Sequence, residues 1–446
     1  MRSCWAAAAR CRLGISLLLL SGIAHGADDP FASWAAAHAL PITTLDFGAD
    51  SSDLQPLASV VGTARVVALG EPTHGAHEPL AFRNRLIRFL VEKMGFTAVA
   101  LESGYTESSA VASFVAGGTG EAEAVVREGL TSGKGNFGEN RELIQWMRDY
   151  NAAATAERRR IRFYGIDLTA GGRVGGPRRA LDFSLSFLSR SDAADADRIR
   201  ASLDGGLPRR DDDEFGALSR TALAALNAGI AAVATAMANN RDSLIAHSSA
   251  EEYRWALHNL AVARQLARYF RVTTPRSNQN MRDAGPAIAA RDYAMAENVR
   301  WVIDHEGPSG RVVVFAHNNH VMNWKEDGGY WAGMRVKPLM MGSHLRRAYG
   351  KDLLIIAASS TTASAGLPSP EPIEDSIDNA LSRVGMSRML LDLRMARQDQ
   401  AAFAWLSTQR SLHANISSHV LITPATAVDA FVFLGGLTPA LGTPAQ

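Results

Sequence analysis

The chain has 446 residues, 47% hydrophobic and 20% charged, with a formal net charge of +1 and two cysteines. A chain of this length and ordinary globular composition can bury a substantial core, as one large domain with an insertion or as two domains. Its near-neutral charge gives no electrostatic footing for nucleic acid or an anionic membrane surface, and no aromatic-plus-basic stripe suggests base stacking.

Residues 1–26 follow the order of an export signal: Arg2, Arg10 and Arg12, an apolar run from Leu13 to Ala24, then Ala24-His25-Gly26. Cleavage before Ala27 is expected, leaving a periplasmic or secreted protein with no stable membrane association. Cys4 and Cys11 both fall in this segment, so the mature chain is expected to lack disulfides, a thiol nucleophile and cysteine-ligated metal.

After a short amphipathic piece (Phe31 to His38) and a Pro/Thr/Asp-rich lead-in, Val66 to Leu69 reads as a buried strand broken by Gly70. A polar loop with Glu71, Thr73, His74 and His77 follows, and from Glu78 to Met94 the apolar residues recur at helical spacing. Phe96 to Leu101 is a second strand, ending at Glu102-Ser103-Gly104-Tyr105. Helical patterns cover Ser108 to Val115 and Asn140 to Ala154, and the Gly-rich Gly129–Gly138 connection between them is a candidate substrate-facing loop. Ile161 to Ile166 is a third strand, ending at Asp167-Leu168 before the turn Gly171 to Gly176.

From Asp192 to Val272 the texture is Ala-rich, charged and helical, with helices expected over Glu214–Asn239 and Ala250–Phe270 as an antiparallel pair. Ile288 to Ile303 is a helix carrying Arg291 and Asp292. Arg311 to Ala316 is a strongly β-patterned run ending at His317-Asn318-Asn319-His320. Leu353–Ala358 and Met389–Leu393 are further strands, and Val420–Thr423 is expected to pair with Ala430–Leu434. This alternation predicts an α/β fold: a mostly parallel central sheet flanked by helices, with an inserted helical subdomain. The expected organisation is a signal peptide (1–26), a first α/β part of the catalytic domain (27–190), a helical insertion that caps or walls the site (191–275) and a second α/β part (276–446).

In such a sheet the loops after parallel strands open on one edge, where ligands bind. Glu71/His74, Glu102, Asp167 and His317/His320 would converge there. Carboxylates and imidazoles directly after buried strands must be desolvated and paired. An imidazole held by a carboxylate can deprotonate water near neutral pH, its unperturbed pKa being about 6.5. A nucleophilic serine is not expected, because no Gly-x-Ser-x-Gly elbow is present. His77 and His344 are candidates for supporting groups; His247, His258 and His305 read as ordinary structural histidines.

The same residues resemble the erythromycin esterase family with its succinoglycan-biosynthesis-type relatives. The resemblance rests on Gly70-Glu71-Pro72-Thr73-His74-Gly75, then Glu78, Arg83 and Leu90-Val-Glu-Lys-Met-Gly-Phe96. It continues through Ala100-Leu-Glu102, Gly165-Ile-Asp167, Arg291-Asp292 to Asn298, and Ala316-His317-Asn-Asn-His320-Val321, in the family's order. It implies hydrolysis of a carboxylic ester, in the named members a macrolide lactone. It also implies that His74 is the base activating water, with Glu71, Arg83, Glu102, His317 and His320 lining the pocket. The expected roles are Glu71 or Glu102 as the partner orienting His74, and Arg83, His317 and His320 at the oxyanion or leaving alkoxide. His77, Asp167 and Arg291 are candidate substrate-binding residues.

Two rival readings stand beside this one. His74, His317 and His320 with Glu71 or Glu102 have the donor types of a divalent-metal site such as zinc, leaving water on the ion. Alternatively the pocket serves a non-catalytic periplasmic binding protein. The expected partner is a small-molecule ester, with no required cofactor and no nucleic acid.

Overall fold

The apolar runs pair as strands in the computed structural model, which describes residues 30–155, 159–168, 177–204, 206–207, 218–273, 280–325, 331–361, 367, 371–414 and 418–442. Residues 1–26, both cysteines and the Gly171–Gly176 turn lie outside the described residues. In chain order the strands are β1 (Leu40–Pro41), β2 (Val66–Glu71), β3 (Ala98–Gly104), β4 (Arg162–Asp167), β5 (Val312–His317), β6 (Leu353–Ser359), β7 (Met389–Asp392), β8 (Arg410–His413), β9 (His419–Ile422) and β10 (Ala430–Phe433). Among the described residues, eight of them form one sheet in the order β1-β7-β10-β6-β2-β5-β3-β4. Strands β10, β6, β2, β5, β3 and β4 run parallel, and β7 is antiparallel to β10 and to β1.

Side chains alternate across a strand, so a sheet covered on both faces needs apolar residues at every position. Strand β2 shows the division. Val66 and Ala68 join the core built with Met295, Val299 and Ile303 of the Met281–Glu306 helix. Val67 and Leu69 join the opposite core, with Phe82 and Leu86 of the His77–Met94 helix. Gly70 is required for a different reason: a Cβ there would lie 2.1 Å from Asn318 Oδ1. The Asn318 amide bonds both ways to Ala358, extending the sheet past the end of β5.

Two expectations about strands and helices need correction. Val420–Thr423 does not pair with Ala430–Leu434. Instead β9 pairs antiparallel with β8 in a separate ribbon, while β10 enters the main sheet between β7 and β6. The continuous apolar character of Ala430 to Phe433, buried at every position, suits a central strand and not a half-exposed hairpin. The helix expected from Ile288 starts seven residues earlier at Met281, capped by Asn280, and runs through Pro286.

The helices Pro177–Leu188, Ala193–Asp204, Arg220–Asn239 and Ala250–Val272 share a third core containing Leu185, Ile199, Leu226, Val233 and Leu260. The Arg220–Asn239 helix begins after Ser219, whose hydroxyl accepts from Ala222 N, and the expected start at Glu214 lies outside the described residues. Among the described residues it is the one helix long and apolar enough to cross a membrane, and Leu226, Ile230, Val233 and Met237 bury its inner face in this core. The bundle meets the sheet at the turn after β3, where Tyr105 packs on Trp255 and His258, and Thr106 Oγ1 donates to Asn259 Oδ1.

Candidate active site

Parallel pairing of β2 with β5 sets Glu71 directly beside His317 at the carboxyl ends of both strands. One strand further, the register of β3 on β4 slips between Leu101 and Gly104. Such a bulge bends a strand and re-aims its side chains. It lies at Glu102, whose buried carboxylate is the hub of the site. Glu102 Oε2 accepts from the backbone N–H of His317 at 2.8 Å, fastening β3 to β5. Glu102 Oε1 accepts from Arg291 Nη2 at 2.9 Å and lies 3.7 Å from His320 Nε2 and 3.8 Å from both His74 Nε2 and Lys134 Nζ. Burial opposes its charge, but Lys134, His320, His74 and Arg291 outweigh that and hold the carboxyl well below the usual range.

Arg291 comes from the Met281–Glu306 helix and is gripped by Asp167 at the end of β4. Nε donates to Asp167 Oδ1 at 2.9 Å and Nη2 to Oδ2 at 2.5 Å. A forked pair of this kind fixes orientation as well as charge. Burial disfavours the guanidinium's charge, but Asp167 and Glu102 more than compensate and raise its pKa. Asp167 and Arg291, candidates for substrate binding by sequence, both join the Glu102 hub.

The three imidazoles differ in what their nitrogens are free to do. His317 Nδ1 accepts from Asn319 N at 3.1 Å, so Nε2 carries the proton that goes to the Pro72 carbonyl at 3.0 Å. Burial, with His74 alongside, drives its pKa well down and keeps the ring neutral. His320 Nδ1 donates to buried Asp292 Oδ1 at 2.8 Å, while Nε2 faces Arg291 Nη1, a pure donor, at 3.1 Å. Burial works against a second proton on His320, yet Asp292 and Glu102 raise its pKa overall. That proton would have to displace the Arg291 contact. His74 is different. Its Nδ1 donates to Glu71 Oε1 at 2.6 Å, and Nε2 has no hydrogen bond among the described residues. Its side chain is 40% exposed, against 2% for Glu71. Gly75, at φ +76°, turns the chain immediately after it.

Arg83 and His77 take hydrogen-bond partners outside the Glu102 hub. Arg83 is buried, stacked 4.7 Å over the Phe315 ring and donating to Asn84 Oδ1. Burial lowers its pKa to about 10 against the pull of Glu71, Glu139 and Glu142. It therefore backs the carboxylates from inside the protein, and the expectation that it meets an oxyanion is not matched by this placement. His77 Nδ1 donates to buried Glu139 at 2.6 Å, and none of the described contacts ties it to Glu102, His317 or Arg291. Lys134, which no motif flagged, enters from the Gly129–Gly138 loop expected to face substrate. A single lysine among glycines carries no sequence pattern that distinguishes it from a surface residue.

The donor set does not fit a divalent metal. No group of three or more histidine, cysteine or acidic side chains among the described residues is placed to hold one. Both nitrogens of His317 and of His320 are engaged, and two cations, Arg291 and Lys134, occupy the neighbourhood an ion would need. A cavity of about 950 Å³ elsewhere, lined by Ile161, Phe163, Phe183 and Trp255 among others, contains none of these residues; its β4 lining, Arg162 and Phe163, is at the start of the strand, away from Asp167.

The chain is similar to known proteins over most of its length. The model of the family described as erythromycin esterase matches residues 91–435. Erythromycin esterase type II of Escherichia coli is 24% identical over 398 residues, covering 83% of this chain and 90% of that protein. Among solved structures, a Bacillus cereus protein superposes with a TM-score of 0.75 at 24% identity, over 93% of this chain and 98% of its own. A variant of the erythromycin esterase EreC in its open conformation gives 0.63 at 19% identity, over 90% and 97%.

Proposed function

The chain belongs to the erythromycin esterase family, and from that premise we propose that it is an exported hydrolase of carboxylic esters, macrolactones of the erythromycin type included. The observation that carries the reading is the His74–Glu71 pair. A buried carboxylate fixes the proton on Nδ1 and leaves the Nε2 lone pair without a hydrogen bond among the described residues, 3.8 Å from Glu102 Oε1, on a partly exposed ring. In the reaction, Nε2 takes a proton from water as the water oxygen attacks the acyl carbon. The tetrahedral intermediate then collapses, the acyl C–O bond breaks, and the proton on Nε2 passes to the leaving alkoxide. A lactone yields its open hydroxy acid, one water heavier. His317 holds the Pro72 carbonyl and so the loop that presents His74. The Asp167–Arg291–Glu102 chain fixes the opposite wall. The mechanism calls for no metal, because the cations Arg291 and Lys134 stand where an ion would compete. Export rests on the order of basic, apolar and small residues in 1–26.

The test is mass spectrometry of a macrolide and simple-ester panel incubated with the protein, with and without chelator. Hydrated products are expected, unaffected by chelator and abolished by His74→Ala with the fold retained. Turnover unchanged in His74→Ala would remove this base. Loss of product with chelator would move the chemistry to a metal. No product from any ester would favour a binding protein.

A further inference from the structure

We propose, building on the hydrolase reading, that Lys134 is a catalytic residue that receives the negative charge developing on the acyl oxygen. Attack on an ester creates an oxyanion, and fixed donors aimed at it lower the barrier most where they need no rearrangement. Four of the five N–H donors of Arg291 are committed to Asp167, Glu102 and His320, and the nitrogens of His317 and His320 are engaged as described. Lys134 is the contrasting case. Its described side-chain contact is with Glu102 Oε1 at 3.8 Å, beyond hydrogen-bond length, so an ammonium with three donors is held in place by charge without its protons being consumed. His74 Nε2 lies at the same 3.8 Å from the same oxygen. Base and cation thus flank one carboxylate atom, separated by no more than about twice that distance. A water and an acyl group can span that gap.

The backbone around Lys134 is built to deliver it there. Thr131 N donates to Ser103 Oγ, and Gly104 N donates to Thr131 Oγ1, tying the loop to the two residues after Glu102. Ser132 and Gly133 then both take left-handed conformations, φ 58° and 74°. Among the described residues Ser132 is the one non-glycine with positive φ. Such backbone is uncommon outside glycine and gathers at functional sites. Asn140 Nδ2 holds the Lys134 carbonyl at 2.7 Å. From the outer side, the segment Thr438–Leu441 bonds to both loops. Ala440 N donates to the Gly75 carbonyl, next to His74, and Gly138 N donates to the Leu441 carbonyl. Glu139 Oε1 accepts from Leu441 N. The loops bearing base and cation are therefore braced against one another.

The experiment compares the wild-type protein with Lys134→Met and Lys134→Arg, using erythromycin and p-nitrophenyl acetate as substrates and phenyl methylphosphonate as an anionic tetrahedral mimic. Lys134→Met is expected to lower kcat about 10²- to 10³-fold with KM nearly unchanged. It should weaken phosphonate binding at least tenfold, and Lys134→Arg should restore part of both. His74→Ala should lose turnover but keep the phosphonate. Lys134→Met with kcat within threefold of a turning-over wild type would overturn the role and leave the hydrolase reading standing. So would a kcat loss with unchanged phosphonate affinity, or one that Lys134→Arg does not relieve. A wild type that hydrolyses neither substrate and ignores the phosphonate would overturn both.

Discussion

Replacing Glu71 by glutamine isolates the charge that the mechanism places behind His74. The carboxylate and the imidazole are joined at 2.6 Å, Nδ1 to Oε1. During proton abstraction the ring becomes an imidazolium, with charge centres about 4 Å from the carboxylate. Two unit charges at that separation interact by about 4 kcal/mol at an effective dielectric near 20. The histidine is 40% exposed, so solvent screens a large part of this, roughly half. Glutamine keeps an oxygen that accepts the Nδ1 proton, so the tautomer survives and only the charge is lost. The remaining roughly 2 kcal/mol corresponds to about a 30-fold fall in kcat. Glu71→Ala removes the acceptor as well and is expected to fall at least tenfold further, since the ring then loses its orientation. The assay is steady-state hydrolysis of the best ester from the panel, with thermal melting as the control for folding. Glu71→Gln within threefold of wild type, or Glu71→Ala no worse than Glu71→Gln, would refute the assignment.

Glu102 and His258 give two predictions about stability and pH. Glu102→Gln removes one of the two carboxylates paired with partly buried Arg291, which keeps Asp167, and the carboxylate beside buried Lys134, a loss of about 1–3 kcal/mol at neutral pH. Because the folded carboxyl has a depressed pKa, its contribution is complete above the unfolded value of about 4.3 and vanishes as pH falls through the folded value. The gap in Tm between wild type and Glu102→Gln should narrow from pH 7 to below pH 4; a constant gap contradicts the charge network. His258 is stacked 4.1 Å from Trp301 and bonded to Asn298, and burial lowers its pKa to about 3. Its neutral form stabilises the fold above about pH 6.5, the unfolded value, and that stability is lost as pH falls from there toward 3. His258→Phe should flatten the acid decline of Tm over this window, and a slope equal to wild type would show that His258 does not set it.

The sequence alone determined the fold class, most strands of the sheet and the family resemblance. Burial on both faces of a parallel sheet leaves unbroken β-branched runs, so Val66–Leu69 and Arg311–Ala316 announce themselves. Polar residues at the ends of such runs, Glu71, Glu102, Asp167 and His317, stand out for the same reason. Local cues failed where pairing is non-local, as when β10 joins β6 across the sheet instead of the neighbouring β9. Only the tertiary structure decided which candidates share a centre and what each is free to do. His74 and His317 are equivalent as residue types, but the backbone N–H of Asn319 and the carbonyl of Pro72 use up one ring while Glu71 leaves the other an open nitrogen. The placements of Arg83 and Lys134 are likewise tertiary. Helical phase turns Arg83 inward onto Phe315, and a left-handed Ser132-Gly133 turn carries Lys134 to Glu102 from a loop with no motif of its own. Hydrogen-bond partners and distances across the sheet edge depend on segments hundreds of residues apart, and no periodicity in the chain encodes them.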